Sequence, residues 1–201
     1  MRPLLEVHLR PGHGCELPRH LRTLRRGGPR YPGPPVTTFR RFLPFVLAFV
    51  IALGDRLTKA LVESRVQPWE MVPVIPGLFQ IVFIRNTGIA FGFLQSSDGE
   101  TNWMLTVFSL GVLGFISMML WQSMRPGALE HWTLRYGLGC VLGGAAGNLY
   151  DRIVFRGVTD FLDFHWGRAH FPAFNVADAA ITTGAGLLLL NLWLMRNRRS
   201  N

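Results

Sequence analysis

The sequence predicts an all-α membrane protein of four transmembrane helices, with a small β-structured extracytoplasmic connector and both termini cytoplasmic. Three observations carry this prediction. Only 16% of the 201 residues are charged, against roughly 25% in soluble domains. No residue from Thr101 to Met124 is charged, and Ala169 to Met195 holds one formal charge, Asp178; a bilayer span needs about 20 mostly apolar residues. The cationic residues also sort to one side of the chain's crossings, as the positive-inside rule requires.

The elements follow in order. Residues 1–41, with runs such as RRGGPRYPGPP, lack periodicity and apolar content, so a disordered basic cytoplasmic tail is expected there. It is not a secretory signal, because Arg and Pro fill the place of an apolar stretch. The main domain is expected over 42–196, with a short basic tail at 197–201. The first span is read from Phe42 to Val62, with Asp55, Arg56 and Lys59 in its outer half. Residues 63–101 form a connector whose stretch LFQIVFIRNTGIAFGF alternates in polarity and suggests short strands. The second span is read at 102–122, the third at Trp132–Tyr150, a second connector at 151–171, and the fourth span at Pro172–Met195, Pro172 suiting a helix start. The tail, the 123–135 loop and the C-terminus hold 14 Lys and Arg, whereas the two long connectors hold five: Arg65, Arg85, Arg152, Arg156 and Arg168.

Composition excludes several function classes. The net charge of +9 resides in span-flanking segments rather than on a folded face with groove-reading neighbours, so nucleic-acid binding is not expected. Cys15 and Cys140 suggest neither a disulfide nor a zinc cluster. The six histidines, His165 and His170 among them, show no metal-ligand spacing, and neither metal nor cofactor is expected. A proton-coupled transporter would use similar acids, but no internal repeat is visible. The tandem motifs of presenilin-type proteases are absent.

Ionisable groups in spans are costly and by default mark function. Asp55, Asp151, Asp160 and Asp178 all fall at or near the outer ends of spans, so carboxylates from several segments gather at one membrane surface. Gly139, Gly143 and Gly147 make a smooth stripe for close helix packing. Asn148, Asp151 and Arg152 share one helical face, as do Asn175 and Asp178, and the buried amides require partners. Asp178 needs a partner too, and Asp160 lies 18 residues earlier on the same side. Two carboxylates sharing a site hold one proton between them, which suits hydrolysis of a peptide bond. Asp163 is read as surface-solvated, Asp151 as a group that orients Arg152 or braces the third helix, and Asp55 with Lys59 as a supporting i, i+4 pair.

Five ordered segments carry a resemblance: Asp55-x-x-x-Lys59, NTGIAF at 86–91, GNLYDR at 147–152, GVTDF at 157–161 and FNVAD at 174–178. Together they resemble the lipoprotein signal peptidase family, also called signal peptidase II, over about 42–195. Ile89 stands where members commonly have Ala. The resemblance implies a catalytic dyad at Asp160 and Asp178, with site support from Asp55, Lys59, Asn86, Gly88, Asn148, Arg152 and Asn175. It implies an aspartic endopeptidase without cofactor in the bacterial inner membrane, its site near the extracytoplasmic face. The implied substrate is a prolipoprotein bearing diacylglyceryl on cysteine, cut just before that cysteine. Also implied are a β-structured cradle from the 63–101 connector, contact with membrane lipids and sensitivity to globomycin-type inhibitors. A monomer is expected.

Overall fold

The computed structural model describes residues 38–88, 103–125, 131–167 and 169–199. Within them the chain runs α1 (Thr38–Arg65), β1 (Met71–Ile75), β2 (Phe79–Asn86), α2 (Trp103–Ser123), α3 (Trp132–Phe155), β3 (Val158–Trp166), β4 (Ala169–His170) and α4 (Val176–Arg199). The architecture is mostly helical with one small antiparallel sheet. The tail over 1–37, Ile89 to Phe91 of the NTGIAF segment, and Arg168 lie outside the described residues.

The helices pack around α3, which touches α1, α2 and α4. Its glycines allow this. A methyl on Gly143 would lie 2.6 Å from the Ala48 carbonyl oxygen of α1, and one on Gly147 would lie 2.7 Å from Asp55 Oδ2. The packing reading of that stripe therefore holds, and at Gly147 the close approach is to a carboxylate. At the opposite end, Leu120, Met124, Leu138, Leu142 and Ala48 form an apolar core.

The outer faces invert the pattern of a soluble protein. Phe49 of α1 and Phe108 of α2 are 66% and 68% exposed, while Asp55, Lys59 and Asp151 are fully buried. Such a molecule hides its charges and presents hydrocarbon outward, as a lipid solvent demands. By length and apolarity, α2 and residues 176–197 of α4 could each cross a bilayer.

Helix ends move by up to five residues: α1 begins at Thr38, within the expected 1–41 tail, rather than at Phe42, and α4 runs on to Arg199 rather than ending at Met195. α3 continues to Phe155, five residues past the expected end, and stops where Arg156 takes the left-handed conformation at φ 59°. α4 begins at Val176 rather than Pro172, because Phe174 is engaged elsewhere: it exchanges backbone hydrogen bonds with Leu162 of β3 (2.8 and 3.0 Å). Asn175 then starts the helix. Its Oδ1 accepts from Asp178 N at 2.9 Å and its own N donates to Asp178 Oδ2 at 3.2 Å. This reciprocal pair is a capping box, with an acid one methylene shorter than the usual Glu.

The sheet extends beyond the expected β-structured connector. Its order is β1-β2-β3-β4, all antiparallel, so it draws on both long connectors rather than on 63–101 alone. β3 lacked a clean alternation signal because Val158, Thr159, Asp160 and Phe161 are all buried. The register aligns Ile84 with Asp160 and Asn86 with Val158. Phe161 joins Val62 and Val66 in a second apolar cluster that anchors the sheet to the end of α1.

Candidate active site

Strand β3 delivers Asp160, and the first turn of α4 delivers Asp178. Asp160 is 5% exposed, and each of its oxygens takes one amide donor. Oδ1 accepts from Asn175 Nδ2 at 2.7 Å, and Oδ2 accepts from Asn86 Nδ2 at 3.1 Å. Asp178 is served in the same way, by Asn148 Nδ2 at 2.8 Å and by the Asn175 backbone N–H. Asn175 thus binds both carboxylates and ties β3 to α4; its Nδ2 also donates to the Thr159 carbonyl at 3.3 Å.

The three asparagines share a device. An amide flips unless something fixes it, and here each oxygen is held by a donor so that the NH₂ faces an acid. Lys59 Nζ donates to Asn148 Oδ1 at 3.0 Å, Asp178 N donates to Asn175 Oδ1, and Gly88 N donates to Asn86 Oδ1 at 3.0 Å. This gives Gly88 and Asn86 their place in the site.

Behind the asparagines lies a buried ionic cluster. Lys59 Nζ contacts Asp55 Oδ2 at 2.6 Å and Asp151 Oδ2 at 2.8 Å. Asp55 Oδ1 accepts from Ala177 N at 2.9 Å, satisfying another free N–H at the start of α4. Asp151 pairs with Lys59 and with Arg56 at 3.2 Å, contacts that brace α3 against α1, the second of the two roles expected for it. Arg152 donates to the Asn148 carbonyl at 3.4 Å and lies within electrostatic reach of Asp178 and Asp160.

Burial pushes the Asp160 carboxyl up to about 6; the hydrogen bond from Asn86 opposes this, and the charge of Asp178 adds to it. No cation lies among the hydrogen-bond partners of Asp160 described above. Its charge is supported by neutral amides, which hold geometry and leave protonation accessible near neutral pH.

Sequence reasoning missed a second layer. Glu63 pairs with Arg56 and accepts from the Thr159 hydroxyl at 2.6 Å, and Arg85 donates to the same hydroxyl at 2.9 Å. These contacts clamp the residue preceding Asp160. A signal existed, since Arg56, Lys59 and Glu63 recur at helical spacing on α1. Asp163 also corrects an expectation: it is buried at 6% exposure rather than solvated, and contacts Gln80 and His170. It stands three residues from Asp160, on the opposite face of β3.

The family model for signal peptidase (SPase) II matches residues 47–194. The chain belongs to the signal peptidase II family. It is 43% identical over 157 residues to the lipoprotein signal peptidase of Solibacter usitatus, covering 78% of this chain and 93% of that one. It is 45% identical over 147 residues to that of Nitratidesulfovibrio vulgaris, covering 73% and 87%. A bacterial membrane enzyme solved by the in meso method at 2.3 Å resolution shares the fold, with a TM-score of 0.62 and 26% identity over 75% of this chain and 87% of that chain. A second such structure, at 1.9 Å, gives a TM-score of 0.60 at the same identity, covering 92% of its chain. This signal peptidase II family member is accordingly a peptidase, a hydrolase of the bacterial membrane.

Proposed function

We propose that the chain removes signal peptides from diacylglyceryl-modified prolipoproteins, cutting before the lipidated cysteine, with Asp160 and Asp178 as its catalytic dyad. The observation that carries the reading is the bridge through Asn175, which binds a carboxylate oxygen of each acid. The dyad holds one proton. Its ionised member accepts a proton from water as the water oxygen attacks the scissile carbonyl carbon, while the protonated member donates to the carbonyl oxygen. On collapse of the tetrahedral diol, the acid that took water's proton gives it to the departing amine and a hydroxyl proton passes to the ionised acid, so the pair again holds one proton. Coupled acids titrate as a unit, so the proton is assigned to the pair.

The membrane placement belongs to the same proposal. Four spans follow from the apolar outer faces of the helix bundle, and cytoplasmic termini follow from the 14 to five distribution of Lys and Arg. That topology places the dyad near the extracytoplasmic face of the inner membrane, where substrate enters laterally with its acyl chains in lipid. The helices from Thr38 to Arg199 form a single peptidase domain that acts as a monomer and is open to globomycin-type inhibitors.

The test is cleavage by purified protein of a prolipoprotein with and without its diacylglyceryl group. Each buried methylene contributes about 0.8 kcal/mol to membrane partitioning, so the lipidated form is expected to be cut far faster, and globomycin to block that cleavage. Equal rates on both forms would defeat the substrate assignment.

A further inference from the structure

On the other face of β3 from Asp160, a second group of ligating side chains converges that the peptidase reading leaves unused. Asp163 and His165 are two residues apart and share one face of the strand. His170 of β4 is the direct cross-strand partner of His165, and the two imidazoles stack with centroids 5.1 Å apart and planes 18° apart. His170 Nδ1 lies 3.0 and 3.2 Å from the Asp163 oxygens. One ligand atom from each of the three residues falls within 4.8 Å of the others.

A simple His–Asp hydrogen bond would account for His170 and Asp163. It leaves His165 unexplained, because His165 Nδ1 is buried and has no hydrogen-bond partner among the described residues. Such an orphaned ring nitrogen is uncommon and calls for a ligand. The carboxylate is also held as metal-bound carboxylates usually are, by an outer hydrogen bond: Gln80 Nε2 of β2 donates to Asp163 Oδ2 at 2.6 Å. The His170 side chain is 45% exposed, which provides an entry path from solvent.

We propose that Asp163, His165 and His170 form a binding site for a divalent transition-metal ion of the zinc type. Two imidazoles and one carboxylate make a borderline donor set suited to such an ion, with water filling the fourth position. Tetrahedral ligands at about 2.0–2.1 Å from zinc lie roughly 3.4 Å apart. His170 Nδ1 already lies 3.0 Å from Asp163 Oδ2, so closing from 4.8 Å asks for an approach of the His165 imidazole. The ion takes no part in peptide hydrolysis. It clips β4 to β3 and, through Gln80, to β2, stiffening the strand that carries Asp160.

The experiment is calorimetric titration of the untagged, chelator-stripped full chain in detergent with zinc(II) alone, with thermal unfolding recorded in parallel. One ion per chain is expected at this site, with a higher midpoint of unfolding. Its affinity should fall at least tenfold in His165→Ala and in His170→Ala, and should persist when the tail histidines His8, His13 and His20 are replaced together. Unchanged affinity in both hairpin variants, or loss in the tail variant, would overturn the site. Should a hairpin variant fail to fold, X-ray absorption on the zinc-loaded unmodified chain decides. Two imidazole nitrogens with a carboxylate oxygen support the site; sulfur or oxygen ligation alone, or no bound zinc, overturns it. None of these readouts depends on peptidase activity.

Discussion

Two groups of aspartates, one around Lys59 and one around Asn175, are held in opposite ways. Asp55 and Asp151 share a fully buried lysine, Lys59, at 2.6 and 2.8 Å. Asp160 and Asp178 are held instead by amides from Asn86, Asn148 and Asn175. A buried cation offsets the charge of the acids packed against it, and removing it leaves them uncompensated. Neutral amide donors fix the position of an acid while leaving its proton exchangeable. The first arrangement suits a scaffold and the second suits proton transfer, and Asn148 joins them by accepting from Lys59 and donating to Asp178.

The largest effect expected from this contrast is on turnover. Asp160→Asn and Asp178→Asn should each lower cleavage by several orders of magnitude, since acid–base help is worth roughly 10²–10⁴ per group. The double variant should be little worse than either single, because coupled residues act as one unit. Single-turnover cleavage on folded variants measures this; near-normal cleavage by either would remove it from the dyad.

On the scaffold side the expected loss is in folding. Lys59→Met leaves Asp55 and Asp151 buried together without their shared cation, and breaking a buried ion pair costs about 3–5 kcal/mol. Thermal unfolding in detergent should show a large drop, partly recovered in Lys59→Met/Asp151→Asn. A single variant as stable as the parent would mean that the cluster is hydrated in the membrane.

The pH dependence sharpens the distinction. The folded state raises the Asp160 pKa from 3.8 to about 6, so between those values the native protein binds more protons than the unfolded chain. Stability from this group is therefore present at low pH and declines as pH rises from about 4 to about 6. Comparison of unfolding midpoints across that window should show a decline in the parent that is absent in Asp160→Asn. Parallel curves for the two proteins would show that Asp160 is not held as described.

A smaller loss is expected at the link between β3 and α4. Asn175→Ala removes the cap of α4, worth about 1 kcal/mol, and frees Asp160 from one donor. Modest destabilisation with a disproportionate fall in kcat would separate the amide's positioning role from its capping role. The smallest effect belongs to the tail: a chain starting at Thr38, where α1 begins, should cleave normally, and a folded but inactive truncation would assign the tail a role.

Much of this was legible in the chain. A charge-free stretch marked α2 and a stretch with the single charge Asp178 marked α4, and the motifs contained every residue of the carboxylate and amide network except Glu63, Arg85 and Arg56. Helical spacing paired Asp55 with Lys59, because groups four apart on one helix meet whatever the rest of the fold does. Tertiary structure alone decided that Lys59 reaches Asp151 across two helices and that Asn175 serves both acids. It also decided that Asp163 is buried and that His165 stacks on His170. Each of these depends on strand pairing or helix approach, which local periodicity does not encode. β3 shows why: packed on both sides, it loses the alternation that announces a strand, and its partners come from β2, more than 70 residues away along the chain.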